Sequence, residues 1–191
     1  MIGKEDAQKK LDTLNSLSAG PETPKWLLLD LDENTGRALV IAEDCVANRS
    51  FHEEWAPITW EECSLRTWLN TEFLDSLPEG VRAKAVRTKI ENPDACVVPG
   101  GNDTEDFVFL LSTDQYNAMP EAYRVARLRG VPCWWWLRTP GYDRLNFANV
   151  NRVGGLDGGF DNHGKYVGHG YHVDSDSGCV RPAMYLDLNE G

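Results

Sequence analysis

Three of the four histidines fall in one stretch, His163-x5-His169-x2-His172, with Asp161 and Asp174 beside them. Imidazole and carboxylate are ligands for zinc and other transition metals, but this spacing matches no closed site, and histidine is also a contact residue in binding surfaces. The five cysteines, at 45, 63, 96, 133 and 179, show no C-x-x-C pair and no repeated spacing. That pattern supports neither a disulfide framework nor a zinc knuckle; it reads as reduced, mostly buried thiols in a cytosolic setting. Ser64, His52 and Asp75 are the residue types of a catalytic triad, yet no nucleophile elbow marks a serine. In Trp134-Trp135-Trp136 successive side chains of a strand must alternate, so Trp134 and Trp136 share one face and Trp135 takes the other. A core aromatic layer is the favoured reading over a sugar-stacking platform. Arg138 and Arg181 read as structural, bonding loop carbonyls or carboxylates. No metal and no cofactor is expected.

The whole-chain chemistry excludes some function classes. The 191 residues carry 30 Asp and Glu against 19 Lys and Arg, a net charge of -11. Nucleic-acid binding needs clustered cations to neutralise phosphate, so that class is disfavoured. Hydrophobic residues make up 41%, enough for a packed core. Apolar runs such as Trp26 to Leu29 and Trp134 to Leu137 fall far short of the ~20 residues of a membrane span. The N-terminal residues lack the apolar stretch of a signal peptide, so a cytoplasmic or phage-particle location is expected, with the compartment left open.

Elements that would position these groups follow from periodicity. Ala7, Leu11, Leu14 and Leu17 recur at helical spacing over 4–18, and Gly20-Pro21 stops that helix. Two apolar runs, Lys25 to Asp32 and Arg37 to Glu43, flank an Asn34-Thr35-Gly36 turn and predict a hairpin. Leu65, Trp68, Leu69, Phe73 and Leu77 form one face of a second helix, with Thr59 or Ser64 as its N-cap; it should pack on a sheet through Trp68 and Phe73. Phe107 to Leu111 reads as a buried strand, and Ser112 with Gln115 as a capping box opening a short helix. An aromatic strand from Cys133 to Arg138, short alternations around Ala148, Val150, Val167 and Val173, and a last strand over Val180 to Leu186 complete a mixed α+β domain. Residues 1–23 form an N-terminal helix and linker, and 24–191 the domain.

Six segments in order carry a resemblance: WLLLD at Trp26, TWEECSLRTWLN at Thr59, GGNDTEDFVFLLS at Gly100, WWWLRTPG at Trp134, the Ala148-x-Val150 pair, and the terminal VRPAMYL. Together they resemble a bacterial and phage domain family near the formylglycine-generating-enzyme branch of the C-type-lectin-like fold, over roughly Pro24 to Leu188. The resemblance implies a C-type-lectin-like fold with a loop-rich C-terminal ligand-display region. The fold includes the variable proteins of diversity-generating retroelements, whose C-terminal segment is rewritten at template adenines. Two features of the wider group are missing. The Gly-Asn-Val-Trp-Glu-Trp-like element of the enzymes is absent, and Glu91-Asn92-Pro93-Asp94 is only a scrambled version of a calcium-dependent sugar-binding loop.

The segment from Tyr142 to Gly178 bears on the retroelement idea. Randomising the two adenines of an AAC or AAT codon reaches every residue type except Glu, Gln, Lys, Met and Trp. The chain holds 33 of those five types. Even placement would put roughly six in this window, yet Lys165 alone is found there. The window instead holds 8 of the 17 glycines and is rich in Asn, Asp, His, Tyr and Ser. Paratopes use the same vocabulary: aromatic rings for rigid contact area, and Ser, Gly and Asn for adaptable hydrogen bonds. Tyr142, Phe147, Phe160, Tyr166 and Tyr171 would supply contact area. Asp143, Arg144, Asn149, Asn151, Arg152, Asp157, Asp161, His163, His169, His172 and Asp174 would supply polar specificity. Ala148, Val150, Val167 and Val173 would anchor the segment from beneath. The same composition is also ordinary turn chemistry in a β-rich fold.

The sequence therefore points to a non-enzymatic binding protein whose partner is a protein or glycan on another cell or particle, with oligomeric state open. Two alternatives stand beside it. One is an oxidoreductase related to the formylglycine-generating enzymes that uses Cys179 or Cys133, which requires two cysteines close together in a cleft. The other is a structural module of a phage or surface apparatus.

Overall fold

A computed structural model describes residues 2–20, 23–95 and 97–189. The chain folds as mixed helix and sheet, an α+β arrangement. The N-terminal helix runs Lys4–Leu17. Its buried Ala7, Leu11 and Leu14 join the same core as the sheets, while Leu17 is exposed. Asn15 holds the helix to the next strand by pairing with both backbone groups of Trp26: its Nδ2 donates to the carbonyl and its Oδ1 accepts from the N–H.

The first sheet is antiparallel. Strands Trp26–Asp32 and Arg37–Ala42 form the expected hairpin, with a bulge between Leu28 and Asp30. Arg37–Ala42 then pairs with the last strand, Ala183–Asp187, which also pairs with Ala85–Val86 and Val108–Phe109. In the second sheet the order is Leu156–Asp157, Asn146–Val150, Trp135–Pro140, Cys179–Val180 and Ala47–Asn48, with Tyr171–His172 also on Asn146–Val150. Trp135–Pro140 and Cys179–Val180 run parallel, Trp135 opposite Cys179.

Alternation in the aromatic strand holds. Trp134 and Trp136 meet edge to face at 4.7 Å, and Trp135 points the other way toward Tyr116. All three tryptophans are buried. Ser112 and Gln115 form the expected capping box.

The second helix departs from expectation at its start and in its middle. Neither Thr59 nor Ser64 caps it. Cys63 is the N-cap, its sulfur accepting the Arg66 N–H at 3.4 Å, while the Ser64 hydroxyl accepts from the Glu53 N–H. After Ser64–Trp68 the helix widens to a π-helical stretch, Leu69–Phe73, before Leu74–Ser76. Asn70 at that widening donates to the Val108 carbonyl and accepts from the Phe107 and Val108 N–H groups, so it docks the helix on the sheet. Leu69 and Phe73 are buried; Trp68 is half-buried beneath the Arg49 guanidinium at 4.4 Å.

Three buried polar centres bind these layers. Asp106 accepts from Trp60 Nε1 at 3.0 Å, Thr104 Oγ1 at 2.7 Å and Arg66 Nε at 2.7 Å. Arg181, fully buried, donates to the carbonyls of Ala42, Glu43 and Tyr123 and lies 4.9 Å from the Trp135 ring. Burial presses its pKa down to about 10, leaving it cationic at neutral pH. Arg138 works similarly on the carbonyls of Leu110 and Glu91 and the side chains of Asn92 and Gln115. No described helix is long and apolar enough to cross a membrane.

Asp106→Ala should strand the buried Trp60 N–H and leave Arg66 without its carboxylate. The expected loss is about 3 kcal/mol of unfolding free energy by urea titration, against about 1 kcal/mol for Trp60→Phe, which removes one donor and little volume.

Candidate functional site

The segment from Tyr142 to Gly178 starts as a strand, Asn146–Val150, and continues through tight turns. That strand is covered on both sides: Phe147, Ala148, Asn149 and Val150 are all buried. Phe147 stacks on Phe51 at 3.7 Å in the core. Phe147, expected at the surface, is therefore a core residue, and Asn149 is 1% exposed. The physical reason is that a strand central to a sheet packed on both faces has no outward side. Val173 anchors the segment from beneath as expected, and Val167 is half-buried.

Three of the polar candidates spend their side chains on the turns themselves. Asp143 Oδ1 accepts from the Leu145 N–H, and Asn151 Oδ1 from those of Val153 and Gly155. Asp161 Oδ1 accepts from the N–H groups of Lys165 and His163, and these bonds hold its carboxyl below the usual range. For these three the turn-chemistry reading applies, because a short acceptor bonding the backbone two to four residues on closes a loop. Glycine is required where the loops meet. At Gly170 (φ +79°) an added Cβ would lie 2.4 Å from the Phe147 carbonyl oxygen.

The remaining candidates reach solvent. Tyr142, Arg152, His163, His169, Tyr171, His172 and Asp174 are exposed; Arg144, Asp157, Phe160 and Tyr166 are half-buried. Ring contacts link several of them: Tyr142 with His169 at 5.0 Å and Phe160 with Tyr166 at 5.4 Å. Trp55, 52% exposed and outside the segment, meets His172 edge to face at 4.7 Å. It joins this surface and was not among the expected residues; an isolated Trp in an acidic stretch gives no periodic signal.

A cleft of about 470 Å³ opens within the segment, lined by Trp134, Asn149, Asn151, Arg152, Asp157 and Tyr171, with Val153 and Ser177 at its edges. Trp134 and Tyr171 stack at 4.2 Å and 20° to form one wall. Arg152 and Asp157 add opposite charges. The Asn149 Oδ1 is buried with no hydrogen-bond partner, and such a group costs free energy unless a donor reaches it. A second cleft, about 460 Å³, lies between the second helix and Asn48 to Ser50.

The histidines do not gather a metal set, whereas the cysteines do. Among the described residues, Cys45, Cys133 and Cys179 place their sulfurs within 4.8 Å of one another. Cys45 follows the Arg37–Ala42 strand and donates its N–H to the Arg127 carbonyl. Cys133 sits opposite Ala126 in a small hairpin, and Cys179 lies between Trp135 and Asn48. The neighbouring thiols of Cys133 and Cys45, with the Asn48 amide at 3.2 Å, stabilise the Cys179 thiolate and pull its pKa down to about 4. Burial first, then the neighbouring thiols, keep Cys45 protonated; the Cys179 partner chiefly raises Cys133. Cys63 stands apart, pushed to about 12 by burial, and Cys96 lies outside the described residues. No triad forms from Ser64, His52 and Asp75, because His52 Nδ1 accepts from the Ser64 backbone N–H rather than its hydroxyl.

A family profile described as a domain of unknown function, DUF6273, matches residues 35–188, most of the chain. The chain belongs to the DUF6273 family. No curated protein and no solved structure matches it. Within this DUF6273 domain the match takes in the first sheet apart from its Trp26–Asp32 strand, the second sheet, the cleft and all three clustered cysteines.

The burial pattern separates displayed from supporting positions. Tyr142→Ala, His163→Ala, His169→Ala and Asp174→Ala should each shift Tm by less than about 2 °C, whereas Phe147→Ala should cost roughly 3–5 kcal/mol and lower Tm by about 10 °C. Differential scanning calorimetry of the five variants checks both halves.

Proposed function

We propose that this DUF6273 domain is a non-enzymatic ligand-binding protein of C-type-lectin-like architecture, its ligand a protein or glycan on another cell or particle. The observation that carries this reading is the cleft at the base of the display segment. It combines a stacked Trp134–Tyr171 wall, the oppositely charged side chains of Arg152 and Asp157 in its lining, and the buried Asn149 Oδ1 that lacks a donor. A hydroxyl or amide of the ligand would donate to that oxygen while an apolar face packs on the aromatic wall, the usual division of labour in small binding sites. The exposed Tyr142, His163, His169, His172, Asp174 and Trp55 widen the contact surface beyond the cleft. Depletion of five residue types over 142–178 supports diversification of that surface by a retroelement. Turn formers such as Asp143, Asn151 and Asp161, and the sterically required Gly170, restrict the changes it tolerates.

A thiol-based oxidoreductase is the second reading. The sulfur cluster favours it by bringing Cys133 and Cys179 together. Against it, neither of the two clefts described has a cysteine on its wall.

Two measurements test the binding reading. Wild-type chain and the Arg152→Ala/Tyr171→Ala double variant are compared on a panel of bacterial surface glycans and on intact bacterial cells. Saturable wild-type binding to at least one, weakened at least about tenfold in the variant, is expected from loss of one charge and one aromatic wall. Equal binding by both proteins, or none by the wild type to either panel, overturns the proposal. Diversification is read in the gene: a near-copy of the coding sequence for 142–183, differing only at adenines and lying beside a reverse transcriptase, is the expected arrangement.

A further inference from the structure

The sulfur cluster has a role that ligand binding does not use. Three cysteines far apart in sequence converge where the two sheets meet, and their sulfurs lie within 4.8 Å of one another. Thiolates bound to a zinc-like ion at roughly 2.3 Å sit roughly 3.8–4.0 Å apart, so closure onto an ion asks for a contraction of less than about 1 Å.

The charge environment is an independent second observation. Arg181 is fully buried, and its Nε, Nη1 and Nη2 all donate to backbone carbonyls, so no carboxylate hydrogen-bonds it; Asp44 and Glu43 act on its charge without touching it. Two of those carbonyls, Ala42 and Glu43, lie three and two residues before Cys45 in the chain, which sets the guanidinium near the sulfurs. A buried cation with no ion-pair contact is costly, and negative charge placed near it lowers that cost. Three thiolates and a divalent ion sum to a single negative charge, which the guanidinium offsets. A monovalent ion would leave two negative charges against one cation.

We propose that Cys45, Cys133 and Cys179 form a binding site for one divalent thiophilic metal ion, with Zn²⁺ as the physiological occupant. Binding forms three metal–sulfur bonds. Thiol protons displaced by the ion pass to solvent; no electrons are transferred. No fourth His, Cys, Asp or Glu joins the group among the described residues, so a tetrahedral ion keeps one position for water. The ion would tie together the end of the Arg37–Ala42 strand, the Val131–Cys133 strand and the Cys179–Val180 strand, fixing the frame from which the display segment departs and to which it returns.

The test uses the full chain, reduced and stripped with chelator, then titrated with Zn²⁺ and with Cd²⁺, whose thiolate complexes absorb in the ultraviolet. The expected result is saturation at one ion per chain, with protons released as the ion binds. Mass-spectrometric mapping should find Cys45, Cys133 and Cys179 protected from alkylation by the ion. Cys133→Ser, on the half-buried edge, should weaken Zn²⁺ binding at least tenfold, and Cys63→Ser should leave it unchanged. Should the variants at buried Cys45 or Cys179 fail to fold, the wild-type protection pattern still decides. Lack of saturable binding, protection that falls on other residues, or unchanged affinity in Cys133→Ser overturns the proposal. So does conversion of two of the three thiols to a disulfide in a reduced chain that takes up no metal, which would make the cluster a redox pair.

Discussion

One buried guanidinium is the joint on which the two sheets turn. Arg181 stands at the point where the chain leaves the Cys179–Val180 strand of one sheet and enters the Ala183–Asp187 strand of the other. Its planar fork holds Ala42 and Glu43, at the end of the first hairpin, and Tyr123, before the small hairpin that carries Cys133. Lysine at this position would offer a point charge instead of three fixed N–H directions, and could not lie flat toward Trp135. The position of the sulfurs, and through Trp134 the back of the cleft, follows from this joint.

The parts of the structure legible in the sequence were those governed by short-range rules. Ala7, Leu11 and Leu14 disclose a helix face; Asn34-Thr35-Gly36 disclose a turn; Ser112 and Gln115 disclose a cap; and alternation sorts the three tryptophans. Where the reading went astray, local chemistry had competitors. A cysteine sulfur took the N-cap that Thr59 and Ser64 were suited to fill. Phe147 read as a contact residue because the loops around it are polar, but it stacks on Phe51 in the core. The thiol cluster was invisible for a different reason. Its members meet only through the parallel pairing of Trp135 with Cys179 and the hairpin pairing of Ala126 with Cys133, and no sequence spacing encodes either.

The segment from Tyr142 to Gly178 shows two demands met by one composition. Asn, Asp and Gly close its turns, and residues of the same types, left over, face solvent beside the aromatic rings. Asp161 and Asp174 illustrate the split: one bonds its own loop and the other is exposed. Composition alone cannot separate them, because the same short polar side chain that caps a turn also makes a good contact.

The pairing of Arg37–Ala42 with Ala183–Asp187 also sets the order in which the molecule comes into being. The centre of the first sheet joins residues near the beginning and the end of the described chain, so closing it forfeits the configurational freedom of nearly everything between. The early hairpin can pair as soon as it is made, but its inner edge stays unfilled until the last strand emerges from the ribosome. Folding of this topology is accordingly slow and late, with the Arg37–Ala42 edge open to wrong strand partners in the interval.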